Sequence, residues 1–154
     1  MFEHLHQILD RAIKADIDNI MFDILKQEDD VIDLIIDLNT EEQLFQGIDS
    51  QGRELADIDV GGPYAPITVA IKRTEGQPFD RVTLKDTGDF YKSFDVVPLK
   101  DGFEIVADTI KEGQNLEDRW GSDIIGLTEL SIEQLQAFLI PLVIEYWIDY
   151  VLEG

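Results

Sequence analysis

A chain of 154 residues with 44% hydrophobic and 29% charged residues is long enough to bury a core unaided and too apolar for wholesale disorder. It has no cysteine, which excludes a disulfide framework and any thiolate metal site. Its 33 acidic residues against 12 basic ones give a formal net charge of -21, a surface that repels phosphate and speaks against tight binding of DNA or RNA.

No basic patch breaks that field. Lys72 and Arg73 are separated from Arg81 and Lys85 by Glu75 and Asp80, and the acids spread along the whole chain as a solvated surface does. The start, MFEHLHQILDRAIKAD, lacks the basic and apolar regions of a secretory signal, and no uninterrupted apolar run approaches the ~20 residues of a membrane span. A soluble, intracellular protein of one domain, 1–154, is expected.

In chain order, residues 1–46 read as helical. Phe2, Leu5, Ile8, Leu9, Ala12 and Ile13 follow helical spacing, and Ile17, Ile20, Met21, Ile24 and Leu25 repeat it after a break near Ala15 and Asp16. The run DVIDLIIDLN fits a helix through Val31, Leu34, Ile35 and Leu38 and a strand through Ile32, Leu34, Ile36 and Leu38; the helix is preferred. Thr40 with Gln43 matches a capping box. Residues 47–80, rich in glycine and proline, read as an extended loop. Residues 81–108 read as a turn and a β-hairpin, SFDVVPL and GFEIVAD, with Gly102 placed to take a positive φ in the turn. Residues 109–130 form a connecting segment, and Ser131 with Gln134 caps a helix over 131–153. The fold class expected is α+β: a small antiparallel sheet around the hairpin, flanked by N- and C-terminal helices.

The last helix carries one polar stripe, Glu145, Asp149 and Glu153, and is apolar over most of its remaining girth. Pro141 removes a backbone donor and predicts a kink. Such a helix needs burial on two sides, against the N-terminal helices or against another subunit; for the second case Phe138, Leu142, Tyr146, Trp147 and Tyr150 are the candidate interface residues, with Tyr64 and Pro66 of the loop.

Catalytic chemistry is hard to find. Asp86-Thr87-Gly88 shares three letters with the aspartic proteases, but Lys85 and Asp89 flank it with charge, and no second copy exists to share a proton. A turn is the better account: Asp86 or Thr87 caps, Gly88 bends, and Phe90 and Phe94 face inward. His4 and His6, two apart, fall on different faces of a helix and make a poor metal pair. Asp49, Gln51 and Glu54 lack the order of a calcium loop. No catalytic residue, metal or cofactor is implied.

The segment from LFQGIDSQGRE to DTGDFYKSFDVV resembles the tail-completion and head-tail connector proteins of tailed bacteriophages, the neck or virion-morphogenesis group. The positions that carry it are Phe45 and Gly47, Asp49 and Gly52, Tyr64 and Pro66, Thr68 and Lys72, then Leu84, Thr87, Gly88, Phe90 and Ser93. The pattern covers roughly a third of the chain and is especially like acidic proteins of gut Bacteroides phages of the crAss-like group. IIGLTELSIEQLQ resembles the family's approach to its last helix, without the Arg-Pro found there. The resemblance implies a non-enzymatic structural virion protein: a subunit of a homo-oligomeric ring joining portal or adaptor to tail proteins, resident in the virion neck and in the host cytoplasm during assembly. Sequence-specific nucleic acid and membrane are not implied partners. In such a ring the negative charge would suit the wall of a DNA conduit. The alternative from charge alone is an acidic DNA-mimic inhibitor of a DNA-binding enzyme.

Overall fold

The computed structural model describes residues 2–57 and 66–153, and within them the architecture is α+β. Helices α1 (Glu3–Lys14), α2 (Ile17–Gln27) and α3 (Asp29–Thr40) open the chain. The break falls where expected, because Ala15 leaves the helical region with ψ 123° and the Asp16 carboxylate accepts the Asp18 N–H at 2.9 Å, capping α2. The ambiguous run is helix α3, with Val31, Ile35 and Leu38 buried on one face and Asp29 and Asp30 in the first turn, where the helix dipole favours acids. The proposed capping box is absent. Thr40 ends α3 and its hydroxyl donates back to the Ile36 carbonyl at 2.8 Å, while the Gln43 side chain reaches across to Gly126 and Thr128.

The stretch expected as an extended loop holds more structure than its composition suggests. Gly47, at φ 80°, ends a short 3-10 turn (Leu44–Gln46), Ile48 bridges Glu54, and helix α4 covers Pro66–Thr74. Pro66 occupies its first position, where a missing N–H costs nothing. Then come a short helix α5 (Asp89–Lys92) and an antiparallel hairpin of β1 (Asp95–Leu99) and β2 (Gly102–Val106), in register Asp95↔Val106 to Leu99↔Gly102. Gly102 is paired within β2 and takes no positive φ, contrary to expectation; Lys100 and Asp101 make the turn. The connecting segment contains a second hairpin, β3 (Ile110–Lys111) with β4 (Gln114–Asn115), helix α6 (Leu116–Trp120) and a 3-10 turn at Ser122–Ile124.

Helix α7 (Glu129–Glu153) closes the chain. Thr128 caps it rather than Ser131: the Thr128 hydroxyl accepts the Ser131 N–H at 3.1 Å. Pro141 sits inside the helix without ending it, and its missing bond falls on an exposed side, at Ala137.

Two buried clusters hold these elements. The first joins α2, α3, α7 and β1 through Ile24, Val31, Ile35, Val96, Leu135 and Leu139. The second gathers Leu44, Leu55, Val82, Phe90, Phe94 and Ile124, with Phe90 and Phe94 edge to face at 5.0 Å. Ile36 and Ile105 touch both. A polar clamp locks the strap before α7 to the end of α3. Buried Asn39 donates to the Ile124 carbonyl at 3.0 Å and accepts the Gly126 N–H at 2.8 Å; buried Gln43 donates to the Gly126 carbonyl at 2.8 Å and accepts the Thr128 N–H at 2.9 Å.

Candidate functional site

The residues of the DTG turn are architectural. Gly88, at φ 86°, permits the entry to α5, and the Thr87 hydroxyl accepts the Asp89 N–H at 3.3 Å. Asp86 caps nothing. It is exposed and lies 3.3 Å from Lys111 Nζ, a cation that holds its carboxyl below the usual range against the opposing effect of burial. A proton-sharing carboxylate dyad requires a second carboxylate there, and the partner is a lysine. Ser93 donates to the Phe90 carbonyl at 2.6 Å and accepts the Asp108 N–H at 2.9 Å, tying α5 to the hairpin. Leu84 holds φ 56°, a strained value for a bulky side chain, at the bend that enters this turn. Asp49 likewise serves a turn: its carboxylate accepts the Gln51 and Arg53 N–H groups at 2.9 and 3.0 Å, and Arg53 links it to Asp123. His4 and His6 are exposed on α1.

A cleft of about 280 Å³ opens between α4, the 84–86 turn, β3–β4 and α6. It gathers Lys72, Lys111 and Arg119, unusual in so acidic a chain, but Lys111 pairs with Asp86, Arg119 with buried Asp57 at 2.6 Å, and Lys72 donates to Gln77 at 3.3 Å. Glu75, Asp86 and Glu112 line the same cleft, so it is a mixed-charge seam between elements rather than an anion cradle.

The larger anomaly is on the outside. Of the residues expected at an interface, Leu142, Tyr146 and Trp147 pack against the first cluster, and the Tyr146 hydroxyl donates to Glu28 at 2.8 Å. Burial and that bond to Glu28 push the phenol up to about 12. Phe138 and Tyr150 are exposed, as is Pro66 at the start of α4, and Tyr64 lies outside the described residues. What the sequence pattern did not single out is a stripe on the far side of α7: Ile140, Ile144 and Ile148, four apart, fall with Ala137 within an arc of roughly 80° and are 58%, 54% and 41% exposed, with Leu152 at the end.

Helix α1 repeats the anomaly. It rests on α7, with Ile8, Arg11, Ala12 and Ala15 partly covered and no residue of the helix buried. Apart from Ile8, its large apolar residues Leu5, Leu9 and Ile13, with Phe2 just before it, occupy a separate arc turned to solvent, Ile13 being 81% exposed. An amphipathic helix normally turns its apolar arc inward. Here the apolar arc of α1 faces out, and the helix meets the body through a side that includes an arginine. The stretch Ser122–Glu153 is also long and apolar enough, by length and composition, to cross a bilayer, although Leu135, Leu139 and Val151 within it are buried against the protein.

Compared with family models, curated proteins and solved structures, the chain matches none.

Proposed function

We propose that the chain is a structural, non-enzymatic subunit of a tailed-phage virion: a neck, head-tail connector or tail-completion protein that works in a homo-oligomeric ring between portal and tail. The observation that carries this is the pair of apolar stripes on α1 and α7, left open to water in a single copy. Contiguous exposed apolar surface of this extent marks an interaction site. The connector-like sequence pattern names the kind of assembly; of the residues that bear it, Gly47, Gly52, Leu84 and Gly88 stand at turns, and Phe45, Leu84 and Phe90 belong to or pack on the second cluster. Portal or adaptor and tail proteins are then the neighbours, and the virion neck is the location.

The test is mass. Purified protein, alone and mixed with portal protein, should form a closed multiple of the 17.5 kDa chain or a defined complex; a chain that stays single under both conditions rejects the proposal. A DNA-mimic inhibitor is the second reading, favoured by the Glu145, Asp149 and Glu153 row, whose four-residue spacing sets carboxylates about 6 Å apart along the helix. Competition with DNA for a nuclease would select it.

A further inference from the structure

The two exposed stripes are matched to each other. From Phe2 to Ile13 the α1 stripe runs about 17 Å, and from Ile140 to Leu152 the α7 stripe runs about 18 Å, at ~1.5 Å per helical residue. Their charges differ. Helix α7 carries Glu129, Glu133, Glu145, Asp149 and Glu153 and no basic residue, whereas α1 balances Glu3 and Asp10 with Arg11 and Lys14 at its last turn. Among the described residues neither Arg11 nor Lys14 forms an ion pair, nor do Glu145, Asp149 and Glu153, and Arg11 Nε is buried without a hydrogen-bond partner.

We infer that the α1 stripe of one copy docks on the α7 stripe of the next, a head-to-tail contact that deepens, and rests on, the ring reading above. Charge selects this pairing over the symmetric ones. Two α7 helices face to face would align acid rows with no cation between them, and two α1 helices would leave the α7 stripe uncovered. An α1-on-α7 contact covers both stripes and sets a helix of balanced charge, rather than a second acidic one, against α7. From the fractional exposures, the apolar side chains alone bring on the order of 900 Å² to one such contact, close to the ~1,000 Å² that a specific interface clears once its rim is added. Because the two faces differ, a copy that gives each to a different neighbour extends the chain of contacts into a ring or a filament. A bilayer is a poorer occupant: Glu145 and Asp149 lie beside the middle of the 140–152 stripe, and the chain's charge of -21 opposes anionic headgroups.

Complementation tests the pairing. One variant carries Leu9→Gln and Ile13→Gln, the other Ile144→Gln and Ile148→Gln; all four positions are exposed in one copy, so circular dichroism and urea melts should match those of a wild type diluted to the monomer. Each variant alone should sediment as a 17.5 kDa monomer at ~0.15 M salt, and the equimolar mixture should give a 1:1 dimer, since one intact α1 stripe meets one intact α7 stripe. A mixture that stays monomeric while the wild type assembles overturns the pairing and leaves the ring standing. An Ile144→Gln, Ile148→Gln variant that dimerises alone also overturns it, in favour of α1 on α1. A wild type that is single alone and with portal protein removes the ring as well, and if it then floats with phosphatidylcholine vesicles the stripes belong to a membrane.

Discussion

Replacing Asn39 by alanine should be among the most damaging single changes in the fold, although it removes no apolar contact. The side chain is fully buried and joins α3 to the strap before α7, 85 residues away, by donating to the Ile124 carbonyl and accepting the Gly126 N–H. Alanine leaves both backbone groups unpaired. Each orphaned group costs about 1–3 kcal/mol where water cannot replace the partner. Ile124 is wholly buried and Gly126 only partly, so one full penalty and one reduced penalty apply, and a loss of about 3 kcal/mol is expected. For a chain of this length that corresponds to a fall in Tm of roughly 6–12 °C. Urea melts followed by circular dichroism should show the midpoint falling with an unchanged slope. Asn39→Asp makes a sharper version: it keeps the acceptor for Gly126 but sets a carboxylate against the Ile124 carbonyl, so its defect should shrink as the pH is lowered and the new carboxyl becomes a donor. Gln46→Ala, which loses only an exposed 3.4 Å bond to the Glu41 carbonyl, is the control and should stay within about 0.5 kcal/mol of wild type. If Asn39→Ala behaves like that control, the clamp does not hold the strap and the account of how α7 is anchored is wrong.

Tyr146, pushed up to about 12, stabilises the fold fully below the ordinary tyrosine value near 10, and this contribution is lost as the pH rises from there through 12, because the unfolded chain ionises first. Absorbance titration should therefore show one late tyrosine that Tyr146→Phe removes; identical curves would refute it. Asp86, held low by Lys111, contributes above the ordinary carboxylate range and loses that contribution as the pH falls through its lowered value. The pair is largely exposed, so Asp86→Asn should cost under ~1 kcal/mol in a urea melt, and less at high salt. Glu112→Asn should stabilise by a few tenths to ~1 kcal/mol, since Glu112 and Gly113 both take positive φ in the two-residue turn between β3 and β4, where asparagine is the easier fit; a lower melting temperature would count against it. Trp147→Asp and Leu142→Asp should lower folding stability itself, by ~3 kcal/mol or more, as measured on the monomer, because both pack on the first cluster.

Periodicity made the three N-terminal helices, the first hairpin and α7 legible in the sequence, since each is long enough to show its buried face. Helix α4 was hidden because Ile67, Thr68, Val69 and Ile71 are β-branched and sit in glycine- and proline-rich surroundings, so local preference argued against a helix. The caps were misassigned for a related reason. Thr40 and Gln43, like Ser131 and Gln134, satisfy a local rule, but Gln43 forms its bonds with residues more than 80 positions away, which no window can contain. The candidate surface was half legible: the sequence marks α7 as too apolar for one partner, yet which arc faces inward depends on where α1, α2 and α3 pack, and this turned Leu142, Tyr146 and Trp147 inward and left Ile140, Ile144 and Ile148 out.

Helix α1 gives the strongest reason to treat the exposed stripes as functional. A helix of 12 residues is marginal in water on its own, and its order normally comes from burying an apolar arc. In one copy α1 buries none of its residues, and four of the five large apolar side chains along it, all but Ile8, lie on the arc directed away from the body. If the arc had no partner, turning the helix by about a third of a turn would set Leu5 and Leu9, each about half exposed, over α7 in place of Ile8, Arg11 and Ala12, a gain of roughly 1 kcal/mol for each leucine against the loss of Ile8. The unrotated arrangement keeps Arg11 against α7 and points the apolar arc at solvent, which makes energetic sense where a neighbouring surface covers that arc. The order of α1 and the docking of that neighbour are then one equilibrium, and whatever strengthens the contact should stabilise the helix that makes it.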